Sequence, residues 1–287
     1  GKITLEHLIK KGRNIIGVIT PDTESNWYKG VDEIAEKYNI KLYKNNNINR
    51  EYFIQKIARM RPDLIISVNF NQIIGKEILS IPKKGSINTH ASLLPKYRGR
   101  APLNLAIIKG ENKTGVTVHY IDEKIDTGNI ILQQEIVIGE NDYIDDILEK
   151  VKAIYPNIVN KAVSQIKNGS VCSVPQEKNK GFYCRRRTPK DGQINWYESS
   201  DDIYNLIRAV SHPYPGAFSY INDEKIYVWK ADKIKYKSNK KVKPGEIVEV
   251  KNNNYIVKSA IGYLILTDIE TNQDIKQGDI FKYKEDS

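Results

Sequence analysis

"DLIISVNFNQIIGKEILSIPKKGSINTH", residues 63–90, decides the fold. Its first six residues are an apolar run with β-branched side chains, and its last six form a second short strand that ends on polar residues. A strand without polar alternation is buried on both faces, the condition of a strand inside a parallel sheet. Upstream, "NIIGVIT" (14–20) repeats the pattern. It is followed by the amphipathic "YKGVDEIAEKYN" (28–39), the short strand "IKLYK" and the amphipathic "REYFIQKIARM". Strands that alternate with helical stretches predict a mostly parallel, Rossmann-like α/β sheet with helices on both faces. Downstream, "GVTVHYI" (115–121) and the run through 130–137 read as two strands flanking a loop. The amphipathic segment 145–169 then packs back, ending at a glycine.

After about residue 180 the pattern changes to short strands and turns: "KIYVWKA", "GEIVEV", "NYIVKSA", "YLILTDI". Such spacing predicts a small OB-like β-barrel. The expected division is a catalytic domain over 1–188 and a barrel domain over 189–287. Residues 3–11 read as the first helix of an α/β unit with no strand before it. A first strand and its turn, on the order of a dozen residues, are therefore expected to be missing ahead of Gly1.

Composition narrows the classes. The 287 residues contain 40% hydrophobic and 28% charged side chains, as an ordinary globular protein does. No apolar run reaches the roughly 18–20 residues of a membrane-spanning helix, and the start lacks a secretory h-region. Two cysteines, Cys172 and Cys184, give neither a disulfide framework nor a metal-ligand pattern. A cytoplasmic protein without a metal is expected. The net charge of +10 raises nucleic-acid binding. The lysines are scattered over amphipathic faces, however, and the densest cluster, 230–244, carries one aromatic residue.

The chemistry concentrates at the end of the strand that closes the opening stretch. Asn88 and His90 are two apart, so on an extended strand they share a face, at the strand end where open α/β sheets bind ligands. The loop "YIDEKIDTGNII" (120–131) holds Asp122, Glu123 and Asp126. If its strands neighbour the one carrying His90, a carboxylate reaches the imidazole. An amide donor, a histidine and a supporting carboxylate suit acyl transfer to an amine. Spacing alone leaves His90 open to the alternative of a hydrogen-bonded strand-end residue. Asp126-Thr127-Gly128 resembles the aspartic-protease triplet, but a single copy in an α/β chain reads better as a turn. His119, inside an alternating strand, reads as structural, as do His7 and His212.

At "NTHASLLPKYRGRAPLN" (88–104) the sequence resembles the folate-dependent formyltransferase family, whose Asn-x-His pair, Ser-Leu-Leu-Pro-x-Tyr-Arg-Gly loop and later Asp-Thr-Gly turn all stand here. The resemblance extends to "PYPGAF" (213–218) in the second domain. It implies formyl transfer from N10-formyltetrahydrofolate to an amine. Asn88 and His90 would stabilise the oxyanion, with His90 as base and Asp126 as its support. The folate would lie near Phe70, Gln72, Ile74, Leu93, Leu94 and Asp122. The connector "YCRRRTPKDGQINW" (183–196) is similar to that of the nucleotide-sugar branch, notably enzymes acting on UDP-4-amino-4-deoxy-L-arabinose. That likeness implies a dTDP- or UDP-linked amino sugar destined for surface polysaccharide or lipopolysaccharide. Arg100, Asn104, Arg185, Arg186 and Arg187 would hold it, with Trp27 and Tyr28 shaping the pocket. No nucleic-acid partner is expected, and a monomer or a homodimer fits. Methionyl-tRNA formyltransferase and formyltetrahydrofolate hydrolase are the alternative activities within the resemblance.

Overall fold

A computed structural model describes residues 1–22, 30–238 and 241–284. The chain groups into two units. One comprises residues 1–99, 114–136 and 149–183; the other comprises 100–113, 137–148 and 184–287.

The first unit opens with α1 (Lys2–Lys10), then β1 (Val18–Thr20), α2 (Val31–Lys37), β2 (Leu42–Lys44), α3 (Glu51–Met60) and β3 (Ile65–Val68). The short α4 (Lys76–Leu79) leads to β4 (Ser86–His90), as the alternation of apolar and amphipathic stretches predicts. β1 and β2 form a parallel pair with Ile19 opposite Tyr43. A separate four-stranded sheet has the order β3-β4-β6-β7. In it β3 and β4 are parallel, and β6 (Lys113–Tyr120) runs antiparallel to β4; β7 is Ile130–Val137. The sheet is thus mixed, with antiparallel pairing at β6. The run 14–20 yields a strand only over its last three residues, and Ile16 stays 43% exposed. Phe53 and Ile57, one turn apart on α3, bury their side chains with Ile48 and Ile78. α6 (Ile144–Lys167) repeats this spacing at Val151, Tyr155, Ile158, Val159, Ala162 and Ile166.

Two short strands, β5 (Arg98–Gly99) and β8 (Tyr183–Cys184), flank the unit division, and α5 (Pro102–Ile108) follows β5. In the second unit α7 (Ser200–Val210) is capped by Ser199, whose hydroxyl accepts from the Asp202 amide at 3.1 Å. Five antiparallel strands follow, β9 (Ala217–Ile221), β10 (Glu224–Ile234), β11 (Ile247–Lys251), β12 (Asn254–Lys258) and β13 (Tyr263–Glu270), in the order β11-β12-β13-β10-β9. The segment 280–282 bridges both outer strand regions, Glu246 with Ile280 and Tyr220 with Lys282, which closes the sheet as the barrel pattern predicts. Trp196 stacks on Phe281 in its core, and the indole N–H donates to Ser219 Oγ at 3.0 Å. Among the described residues no helix is long and apolar enough to cross a membrane.

Candidate active site

The register of β4 on β6 builds the site. Asn88 lies opposite His119 and His90 opposite Thr117, so Asn88, His90 and His119 share one face of the sheet. The loop after β6 brings Asp126 onto that face. Asp126 Oδ2 lies 3.5 Å from His90 Nδ1 and accepts from the Gly99 amide at 2.9 Å. Its Oδ1 accepts from Asn88 Nδ2 at 3.4 Å and lies 3.5 Å from His119 Nε2. Asn88 Nδ2 is also 3.4 Å from His119 Nε2. The structure therefore brings Asn88, His90 and Asp126 together and adds His119, which is 1% exposed and which the sequence pattern had assigned to packing. The signal for His119 was its cross-strand position, which depends on register and is silent in a linear sequence.

Hydrogen bonds fix both tautomers. A carbonyl oxygen only accepts, so the 2.7 Å contact of His90 Nε2 with Tyr97 O places a hydrogen on Nε2. In the neutral ring, Nδ1 then carries the lone pair and faces Asp126. By the same argument His119 Nδ1 donates to Tyr120 O at 2.7 Å, and its Nε2 turns to Asn88 and Asp126. Burial lowers the basicity of His90, with the Asp126 charge and the Tyr97 bond opposing. For Asp126, burial raises the carboxyl pKa. The contact with His119, the nearby His90 and the Gly99 amide outweigh it and leave the group below the usual range. The resting pair is a neutral imidazole beside a carboxylate, ready to take one proton at Nδ1.

The turn that carries Asp126 is held from behind. Asp126 adopts φ +53, a left-handed conformation that costs a non-glycine residue energy unless its surroundings enforce it. Gln176 Nε2 donates to the carbonyls of Asp126 and Gly128 at 2.9 and 2.8 Å. Gln176 Oε1 accepts from Arg98 Nε and Nη2 at 3.1 and 2.7 Å, and Arg98 is 6% exposed. Neither residue was legible as functional, because nothing in their spacing links positions 78 apart. Gln176→Leu is expected to lower kcat about tenfold with little change in KM. Gln176→Glu keeps the Arg98 pair but loses both donors, so an equal kcat loss in that variant assigns the effect to the turn rather than to the buried arginine.

The two shifts also set a pH dependence. The folded His90 binds its proton less readily than an unfolded histidine. As pH falls below about 6.5 the unfolded chain takes up more protons and stability drops. The contribution of Asp126, full above about pH 4, is lost as pH falls through its lower folded value. Urea midpoints should therefore decline from about pH 7.5 to about pH 5.5, and His90→Gln should flatten that decline.

The remaining predicted residues divide. Gln72 donates to Asn45 O at 2.7 Å and accepts from the Ile48 amide at 2.9 Å, so its side chain staples the loop. Phe70 and Ile74 pack against the Ile48 cluster. Leu94 is 3% exposed; its amide donates to Thr117 Oγ1 and its carbonyl accepts from Gln133. Leu93 packs on Gly115. Asp122 accepts from Thr127 Oγ1 at 2.6 Å, bracing the Asp126 loop.

Three residues expected to hold the sugar nucleotide have partners within the protein. Asn104 is buried on α5 and donates to Ala209 O at 2.8 Å, because its helix face packs against α7. Arg185 pairs with the Asp191 carboxylate, which it draws down to about 2, and Arg187 Nη2 donates to Asp191 O at 2.6 Å. The connector is an Asp191-centred turn, so those two guanidiniums serve it first. Arg100 and Arg186 are exposed and have no side-chain partner among the described residues. Trp27 and Tyr28 lie outside the described residues.

The chain is similar to known proteins over most of its length. Residues 12–163 match the formyl transferase family model, and residues 186–283 match the formyl transferase C-terminal domain. The chain is 40% identical over 252 residues to the bifunctional polymyxin resistance protein ArnA of Wigglesworthia glossinidia brevipalpis, covering 86% of this chain and 38% of that protein. It is 33% identical over 273 residues to methionyl-tRNA formyltransferase of Ruminiclostridium cellulolyticum, covering 93% of this chain and 87% of that protein. Among solved structures it is similar to WlaRD, a sugar 3N-formyl transferase crystallised with dTDP and 5-N-formyl-THF. That likeness has a TM-score of 0.69 and 25% identity, and covers 99% of this chain and 94% of the other. A mixed α/β unit, a closed antiparallel sheet, a site of Asn88, His90 and Asp126, and two adjoining family matches converge: this chain belongs to the formyl transferase family, whose enzymes use a folate co-substrate.

Proposed function

We propose that this protein formylates the amine of a nucleotide-linked amino sugar, dTDP- or UDP-linked, for surface polysaccharide or lipopolysaccharide synthesis. The observation that carries the reading is the set of four polar side chains meeting at the end of β4. The likeness to a sugar 3N-formyl transferase over nearly the full chain supports the choice of acceptor. N10-formyltetrahydrofolate supplies the formyl group when bound. The loops holding Phe70, Gln72, Ile74, Leu93, Leu94 and Asp122 are the surfaces offered to it.

His90 Nδ1 takes the proton of the attacking amine, and the new imidazolium is stabilised by Asp126 3.5 Å away. Asn88 offers its amide N–H to developing negative charge, oriented by His119. With Asp126 assisting, that proton would pass to the folate N10 as its bond to the formyl carbon breaks, leaving tetrahydrofolate and the formamido sugar. Arg100 and Arg186 meet the diphosphate, for which guanidinium forks are suited.

The relative acting on methionyl-tRNA, which spans 93% of this chain, favours a second reading with the same chemistry on a charged tRNA. Ionic strength separates the two. A nucleotide-sugar reaction loses little kcat/KM between low and moderate salt, whereas a tRNA footprint loses orders of magnitude. On the sugar reading, Arg186→Ala and Arg100→Ala each raise the KM for the sugar nucleotide about tenfold and spare kcat. A flat KM in both variants removes the diphosphate assignment.

A further inference from the structure

Two main-chain groups of the loop after β4 hold the reacting pair. The carbonyl of Tyr97 accepts from His90 Nε2 at 2.7 Å, and the amide of Gly99 donates to Asp126 Oδ2 at 2.9 Å. The first of these contacts decides what His90 can do. Asp126 Oδ2 lies 3.5 Å from His90 Nδ1, so the carboxylate draws a hydrogen toward Nδ1. A neutral imidazole has one N–H to place. Were the Tyr97 carbonyl withdrawn, Nδ1 would carry that hydrogen and point it at Asp126, and the lone pair would move to Nε2. The Tyr97 carbonyl therefore keeps Nδ1 free to accept a proton.

That carbonyl belongs to a residue under backbone strain. Tyr97 adopts φ +60, a left-handed conformation that a bulky residue keeps only where its surroundings enforce it. The enforcing contacts come from the end of the first unit. The Tyr97 ring is 6% exposed and meets Phe182 edge-on, with centroids 4.6 Å apart and an angle of 68° between the rings. The Phe182 carbonyl accepts from the amide of Arg98 at 3.0 Å, so residue 182 grips the turn through both side chain and main chain. Gly181 seats this strap closely: a Cβ there would stand 2.5 Å from Pro95 O. From within the loop, Ser92 Oγ adds one bond to Lys96 O at 2.8 Å. Phe182 remains 44% exposed, so its ring contributes little to the core and much to this one contact. Tyr183, the next residue, turns instead to the Arg98 guanidinium 5.8 Å away.

We propose that Phe182 is a positioning residue: its ring clamps the strained Tyr97 turn, whose carbonyl holds the hydrogen of His90 on Nε2 and leaves Nδ1 as the base. The proposal rests on the reading of His90 as the base.

Nitrogen NMR of protein carrying isotope-labelled histidine reads the tautomer directly, and His90→Gln identifies the His90 signals among the four histidines. At about pH 8, where the ring is neutral, the wild-type protein should show a hydrogen-bearing Nε2 and a bare Nδ1. A bare Nε2 there would contradict the base reading itself, and the proposal with it. Phe182→Ala should move both signals toward the opposite tautomer, Phe182→Tyr should restore the wild-type pattern, and Tyr183→Ala should leave it unchanged. A wild-type pattern in Phe182→Ala, no restoration by tyrosine, or an equal shift in Tyr183→Ala overturns the clamp. Should Phe182→Ala fail to fold, Gly181→Ala decides, because it lifts the strap from Pro95 O without removing a ring. The same shift supports the clamp, and a wild-type pattern rejects it. This readout needs no formyl acceptor, so its outcome is independent of the sugar reading. With an acceptor that the wild-type protein formylates, Phe182→Ala should also lower kcat about tenfold with KM little changed. An altered tautomer with kcat intact would place Phe182 outside the reaction and overturn its role.

Discussion

Asp126→Asn should reduce kcat about 1,000-fold while KM for either substrate moves less than about threefold. The asparagine keeps the shape and one acceptor oxygen, so the Gly99 amide at 2.9 Å retains a partner. What disappears is the negative charge beside His90 Nδ1. Without it, protonation of a buried imidazole is uncompensated, and the ring loses its drive to accept the amine proton. His90→Ala should reach a similar floor, and the double variant should be little worse than either single one, because the pair acts as a unit. Losses that multiply instead would place the two residues in separate steps. A rise in KM with kcat intact would move both out of the reacting centre.

Gly128→Ala should be the most damaging substitution outside that centre. A Cβ at this position would overlap the main-chain carbonyl of Tyr120, an atom fixed by β6, so the turn itself must move. Overpacking against backbone costs about 3 kcal/mol, enough to lower Tm by several degrees. The displaced turn carries Asp126, so kcat should fall with stability. Thr127→Ala provides the control. It removes a hydroxyl bonded to Asp122 on the exposed side of the same turn, and should cost about 1 kcal/mol with catalysis largely retained. Comparable damage from both would mean that the whole turn is fragile and that Gly128 has no special steric role.

The contrast between these residues shows what a linear sequence exposes. Asn88 and His90 were legible because an i,i+2 pair on a strand end needs only the period of the strand to share a face. Asp126 was legible conditionally, on β6 being the neighbour of β4, which the register satisfies. His119 reads as structural because its strand alternates as a packed one does, and only the register that sets it opposite Asn88 reveals its closeness to Asp126. Arg98 and Gln176 are joined by a bond across 78 positions that no local pattern announces. The arginine-rich connector shows a further limit of a linear reading. Its charge suggested free guanidinium forks, but Asp191 within the same motif pairs with Arg185 and Arg187. In the fold, the α/β alternation and the closed second sheet followed from periodicity. The shortness of β1 did not, since "NIIGVIT" reads as one buried strand and only its last three residues form one.

The most direct measurement is product analysis by mass spectrometry with N10-formyltetrahydrofolate and a panel of acceptors: dTDP- and UDP-linked 3-amino and 4-amino sugars beside initiator methionyl-tRNA. Wild-type protein should formylate at least one sugar nucleotide, and Asp126→Asn should leave it unmodified. Formylation of the tRNA alone, or folate turnover with no acceptor modified, would contradict the account.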